Sequence, residues 1–204
     1  MTHRNSLQGY KMSFSTGGLF HNESIEIARL HEPQDSWEET LLQAMEEGTT
    51  SLPKAASNRR TTREIINRIS CLTEEERDYL VGQANRQEQA ALLWLATCRA
   101  YRLIREFAVE VIRERHMSYQ LDLPQDSFDR FFDAKAELDE RLDAISPSTL
   151  RKLRQVLFRI MREADIITDE NQIRTAYLSP HLRALIARTA QDDLAVFPGV
   201  AVQG

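Results

Sequence analysis

The stretch from Arg86 to Met117 constrains the fold most, because it contains neither glycine nor proline. Apolar residues recur along it at three- and four-residue steps, the spacing of one helix face: Leu93, Ala96, Ala100, Leu103, Phe107 and Val111. Further apolar residues widen that face: Leu92, Trp94, Leu95, Ile104 and Ile112. A helix that is apolar over so much of its circumference is typical of a central scaffold packed on several sides. It is either one bent helix or two helices in series.

Capping signals divide the rest of the chain into further helices. Two of them are capping boxes, in which a Ser or Thr is followed three residues later by Glu, at 36–39 and 73–76. Two others are serines followed directly by proline, at 146–147 and 179–180. Gly48 has the position of a residue that ends a helix. Strands are scarce, so the sequence predicts an all-α fold.

Other helix boundaries are set by weaker signals. Asn22 is expected to cap a helix over residues 23–31, and Pro53 to open one that ends near Ser70. Asp126 or Ser127 is expected to cap the next helix after the long scaffold. The tail over residues 192–204 is expected to be poorly ordered beyond contacts of Leu194 and Phe197.

The predicted architecture is a multi-helix bundle with a long central helix, helix-turn-helix or winged-helix-like elements and at most a short β-hairpin. The hairpin is expected over residues 166–177, and residues 10–20 form either one short strand or an extended segment. The LDLP run at 121–124 is the expected boundary. It separates an N-terminal part, 1–120, with a helix-turn-helix-like segment and the scaffold helix, from a winged-helix-like C-terminal part, 121–204, packed on it.

Several functional classes are disfavoured by what the sequence lacks. The longest apolar run, 90–98, is far short of the roughly 20 residues of a membrane span, and we expect no secretory signal and no membrane partner. Cys71 and Cys98 cannot build a disulfide framework, which favours a reducing cytoplasm. No phosphate-binding glycine loop, HExxH or CxxC pattern occurs. We therefore predict no cofactor, no metal site, no catalytic residue and no enzymatic activity.

Charge is strongly segregated along the chain, although the formal net charge is only −5. Residues 32–47 hold six acids and no base. Residues 54–69 and 151–163 each hold five bases and one acid, and both lie on predicted helices. An acidic protein with two concentrated basic segments is a candidate for binding a polyanion, whereas one such segment alone is equally typical of a solvated helix face.

The helical repeat of about 100° per residue separates bases from core on both helices. In the earlier one, Arg59, Arg60 and Arg63 lie across from Ile65, Ile66 and Ile69. Arginine binds phosphate in a bidentate manner, and Arg, Asn and Gln read base edges. The predicted DNA-binding residues are Lys54, Arg59, Arg60, Arg63, Asn67, Arg151, Lys152, Gln155, Arg159 and Arg162. The acidic tip of the expected wing, 169–171, receives no nucleic-acid role.

Five motifs, in this order along residues 10–197, resemble the BrxA family of BREX (bacteriophage exclusion) defence systems: YKMSFSTGGLF, RQEQAALLWLATCRAYRLIREFAVEVIRER, FFDAKAE, LRKLRQVLFRIMREADII and LSPHLRALIAR. The resemblance implies a cytoplasmic, all-α protein. It also implies DNA binding without known catalysis, beside partner proteins that methylate host DNA and exclude unmodified phage DNA. It supplies no catalytic residues.

The sequence and the resemblance together predict a non-enzymatic accessory protein of phage defence that binds double-stranded DNA, mainly through phosphates. Two alternatives remain open. In an assembly adaptor, other BREX proteins would dock on the basic faces and on the acidic helix with Glu38, Glu39, Glu46 and Glu47, and any DNA affinity would be incidental. A basic helical bundle of this kind would also suit RNA.

Overall fold

The computed structural model describes residues 9–14, 17–48 and 55–202, and in these ranges it confirms the predicted all-α, multi-helix fold. The α-helices are α1 (His21–Leu30), α2 (Trp37–Glu46), α3 (Ala55–Ile69), α4 (Glu74–Gly82), α5 (Arg86–Ala100), α6 (Arg102–Phe107), α7 (Glu114–Met117), α8 (Asp126–Ala136), α9 (Glu140–Asp143), α10 (Pro147–Glu163) and α11 (Pro180–Thr189). A π-helical segment, Ala108–Arg113, joins α6 to α7, and a 3₁₀ helix, Gln191–Val196, follows α11.

The central scaffold is α5, whose residues from Ala90 to Cys98 are all buried. It packs against α1, α3, α4 and α10. The apolar run does not continue as one helix, because Tyr101 adopts an extended conformation (φ −126°, ψ 101°) between α5 and α6. Its buried hydroxyl donates a hydrogen bond to the Glu64 carboxylate at 2.6 Å. The run from Arg86 to Met117 is therefore two helical stretches in series.

The strong capping signals are confirmed. Ser36 and Thr73 form capping boxes, and Ser146 and Ser179 are N-caps followed by proline. Gly48 follows the C-cap of α2 with φ +67°, in the left-handed region that glycine adopts without strain.

The starts of α1 and α8 differ from those that the weaker signals predict. The N-cap of α1 is Phe20 and not Asn22, and that of α8 is Gln125 and not Asp126 or Ser127; neither makes a side-chain capping bond. At α8, the backbone carbonyl of Pro124 accepts from the Ser127 amide at 2.9 Å and replaces the cap. Pro53 lies outside the described residues.

The segment at 121–123, in the expected boundary, is paired with the hairpin. Ile167 bridges Ile173 in the expected hairpin, and Asp122 bridges Gln172, so residues 121–123 add a third extended segment beside it. The amide of Ile173 donates to the carbonyl of Leu121 at 2.7 Å. Near the other end of the chain, residues 10–14 form no strand, and Phe14 is fully buried against the body.

The expectation of a poorly ordered tail is wrong for the described residues up to Val202. The indole nitrogen of Trp94 donates to the carbonyl of Val196 at 3.0 Å, and Phe197 is fully buried. Asp193 is buried and pairs with both Arg99 and Arg105. These contacts reach across more than 85 residues of sequence, and they anchor the 3₁₀ helix on α5 and α6.

Candidate nucleic-acid interface

Helix α10 presents the clearest basic face of the described residues. Ser146 starts it by accepting a hydrogen bond from the Thr149 amide at 3.3 Å, and Pro147 occupies the first turn. One face is buried in the core: Leu153, Val156, Leu157, Phe158, Ile160 and Met161. Because burying an unpaired charge costs much free energy, the basic side chains lie on the opposite face of the helix. Its exposed members are Arg151, Lys152, Gln155 and Arg159.

The partners of these cations divide them into two groups. Arg154 is ion-paired with Asp129 of α8, and the half-buried Arg162 donates to the Asn171 amide oxygen at 2.7 Å. Those two side chains brace α10 against its neighbours. Within the described ranges, by contrast, no carboxylate lies within ion-pair distance of Arg151 or Lys152. Both can therefore meet an external anion without first breaking an ion pair.

Arg159 links this face to the start of α1. Its Nε donates to one carboxylate oxygen of Glu163 at 2.8 Å, and the other oxygen accepts from the Leu19 amide at 2.6 Å. Gly18 leaves no room for a Cβ, because the Glu163 carboxylate fills that space. On the other side of the turn, Arg68 donates to the Gly18 carbonyl at 2.8 Å. These contacts fix the turn that leads into α1, whose N-cap, Phe20, makes no side-chain capping bond.

The second predicted set, on α3, is exposed but partly neutralised. Arg59, Arg60 and Arg63 are exposed, and Arg59 lies 3.6 Å from the Glu38 carboxylate of α2. Asn67 is half-buried and donates to the Tyr101 hydroxyl at 3.3 Å, so its amide already has a partner. Lys54 lies outside the described residues.

The two basic helices each pack on α5, and their C-terminal ends approach the same turn at residues 17–20. The structure thus brings Arg159 close to that turn, whereas Arg59, Arg60 and Arg63 lie on a separate helix whose neighbours are α1, α2 and α5.

Sequence reasoning missed two residues beside Arg159, the cation Arg86 and the imidazole side chain of His21. A cleft of about 560 Å³ is lined by Arg159, by Arg86 at the start of α5 and by His21 at the start of α1. Asn85 accepts from the amides of Gln87 and Glu88 as the N-cap of α5, so Arg86 lies at the helix start that the sequence predicts. Nothing in the sequence could have placed that start beside α10.

The extended segments lie directly after α10. Arg162 connects α10 to Asn171 in the hairpin turn, and Asn171 adopts φ +61° there. Asp169 and Glu170, at the tip, are exposed. The tip is therefore acidic as expected, and α10 carries the bases of this part of the chain.

The described residues contain no group of three His, Cys, Asp or Glu side chains that could hold a metal ion. No helix among them is long and apolar enough to cross a bilayer.

Fold and site together define an all-α protein that displays basic helix faces around a buried central helix. The chain belongs to the BrxA family, whose sequence model matches residues 8–190. It is 24% identical over 185 residues to the BREX protein BrxA of Escherichia coli O9:H4 (strain HS), and the match covers 87% of this chain and 84% of that protein. In three dimensions it resembles the crystal structure of an uncharacterized protein from Magnetospirillum magneticum. That likeness has a TM-score of 0.77 at 21% identity, covers 94% of this chain and 99% of the other, and concerns the fold.

Proposed function

We propose that this chain is an accessory component of a BREX phage-defence system and binds double-stranded DNA through α10. Membership of the BrxA family supports the defence role. The observation that carries the DNA proposal is the face of Arg151, Lys152, Gln155 and Arg159, exposed on one helix with the first two unpaired among described residues. The role is one of binding, not of catalysis.

The order of elements around α10 supports this mode. Helices α8, α9 and α10 are followed by a short hairpin, the order of a helix-turn-helix unit with a wing, in which the last helix approaches the groove. Gln155 is the one exposed amide among the four face residues, so base readout is limited. Affinity then depends mainly on phosphate contacts and is weakly sequence-selective.

Helix α3 supplies a second basic surface in this proposal. Arg59, Arg60 and Arg63 are exposed there, but the Glu38 carboxylate beside Arg59 reduces the local positive potential. We therefore assign the main contact to α10 and a supporting one to α3.

An assembly role has its own structural support. Helix α2 and its C-cap expose three carboxylates, those of Glu39, Glu46 and Glu47. The helix carries no basic residue that would balance their charge. A basic surface on another BREX protein would complement this acidic face. Cytoplasmic location follows from either role.

The test is a binding titration of purified protein with a labelled 20-base-pair duplex of arbitrary sequence. We expect saturable binding that unlabelled duplexes of unrelated sequence displace equally well, because phosphates carry no sequence information. Structured RNA should compete more weakly, since its A-form groove geometry differs. Absence of duplex binding at low salt, or stronger competition by RNA, would overturn the DNA proposal. Retention of BREX proteins by the chain after nuclease treatment would then favour the adaptor role.

A further inference from the structure

The cleft beside α10 continues the basic face of that helix. Arg159 belongs to both, because it lies on the exposed face and also lines the cleft. From there the lining passes to Arg86 and His21, on two different helices. Side chains from three separate helices thus line one open space of about 560 Å³.

Arg86 is the available cation in this cleft. It is exposed, and within the described ranges no carboxylate lies within ion-pair distance of it. The ring of His21 lies against it, with Nε2 3.4 Å from the Arg86 backbone carbonyl oxygen. Arg159 is held in place by Glu163, and it can share its remaining guanidinium donors with a ligand.

Two carboxylates also line the cleft, and they differ in what they can still bind. Glu163 uses one oxygen for Arg159 and the other for the Leu19 amide, so its charge is compensated by fixed donors. Glu23 lies in the first turn of α1, and among the described residues no cation lies within ion-pair distance of it. Glu23 is therefore the group that opposes an incoming anion.

We propose that a strand of the DNA bound on α10 continues into this cleft and places a backbone phosphate against Arg86 and Arg159. The inference rests on the proposed function and extends its footprint from one helix to the junction of α1, α5 and α10. The ligand chemistry is a phosphodiester, for which a guanidinium provides paired donors. The cleft is an open space of about 560 Å³ that reaches solvent beside the exposed face of α10.

The test compares two cleft variants with a matched control in duplex titrations. Arg86→Glu reverses the free cation, and we expect about tenfold weaker binding and a salt slope shallower by about 0.9, the loss of one phosphate contact. Glu23→Gln removes the opposing carboxylate, and we expect about twofold to threefold tighter binding because a screened Coulomb repulsion of the phosphate is lost. Arg29→Glu, at the far end of α1, makes the same charge change at an exposed residue and should alter affinity less than twofold.

The two variants act in opposite directions, so general damage to the fold cannot produce the expected pair of results. If Arg86→Glu behaves like Arg29→Glu while α10 variants lose binding, the cleft lies outside the DNA path and the proposed function stands. If neither the wild-type protein nor any variant binds duplex, the proposed function and the extended footprint are both rejected.

Discussion

Reversing two charges at the start of the α10 face, in the variant R151E/K152E, is expected to weaken duplex binding about 100-fold. Charge-assisted hydrogen bonds contribute roughly 1.5 kcal/mol or more each, and every 1.4 kcal/mol is about tenfold in affinity. Neither side chain has an ion pair among the described residues, so each reversal acts on the bound DNA and not on an internal partner. Fluorescence anisotropy at fixed, moderate salt measures the change.

The matched control is R29E/R188E, which alters net charge by the same amount on exposed residues of α1 and α11. It should bind within about threefold of wild type, because distant charges are screened over about 10 Å at 0.1 M salt. Arg151 and Lys152 are exposed, so thermal unfolding of R151E/K152E should remain close to wild type. Equal losses in both variants would show that net charge governs binding and would exclude α10 as the contact.

Removing the buried carboxylate in Asp193→Ala is expected to cost about 3–5 kcal/mol of unfolding free energy, as for other buried pairs that lose one partner. Asp193 is 5% exposed and accepts from Arg99 at 2.8 Å and from Arg105. Arg99 also donates to Glu76 at 2.5 and 2.8 Å. Burial acts to lower the pKa of Arg99, but the hydrogen bonds and charges of Glu76 and Asp193 outweigh it and raise that pKa. Arg99 therefore stays charged where it is buried in this network.

Urea denaturation of Asp193→Ala beside Asp192→Ala measures this effect. Asp192 is exposed and contributes to Arg105 through its backbone carbonyl, which alanine retains. We expect the control to stay within about 0.5 kcal/mol of wild type, the usual range for surface substitutions. A loss below about 1 kcal/mol in Asp193→Ala would contradict the anchoring role assigned to the 3₁₀ helix.

The fold was predictable from sequence wherever local chemistry determines structure. Capping boxes at Ser36 and Thr73 and the Ser-Pro pairs mark their helices because the donors and acceptors are neighbours in sequence. The break at Tyr101 left no such mark, since an extended residue there keeps the apolar stripe intact on both sides. The ordered tail was missed because its anchor, Asp193, finds its partners on α5 and α6.

The same distinction applies to the candidate site. A helical wheel separated the bases of α10 from its core correctly, because the helix is long and its apolar face is continuous. It could not show that Arg162 is bound to Asn171 or that Asn67 is bound to Tyr101, since those partners come from other elements. Arg86 and His21 join Arg159 only through the packing of three helices, which leaves no periodic signal.

The central claim is that several phosphates are neutralised by α10, and the salt dependence of duplex binding tests it most directly. Neutralising one phosphate contributes about −0.9 to the slope of log K against log salt, so the unpaired Arg151 and Lys152 together contribute about −1.8. Arg159 is already paired with Glu163, so its further contribution is at most about −0.9. We predict a wild-type slope of about −1.8 or steeper, and a slope shallower by about 1.8 or more in the variant R151A/K152A/R159A. A wild-type slope of about −1, or an unchanged slope in the variant, would contradict the claim that α10 neutralises several phosphates.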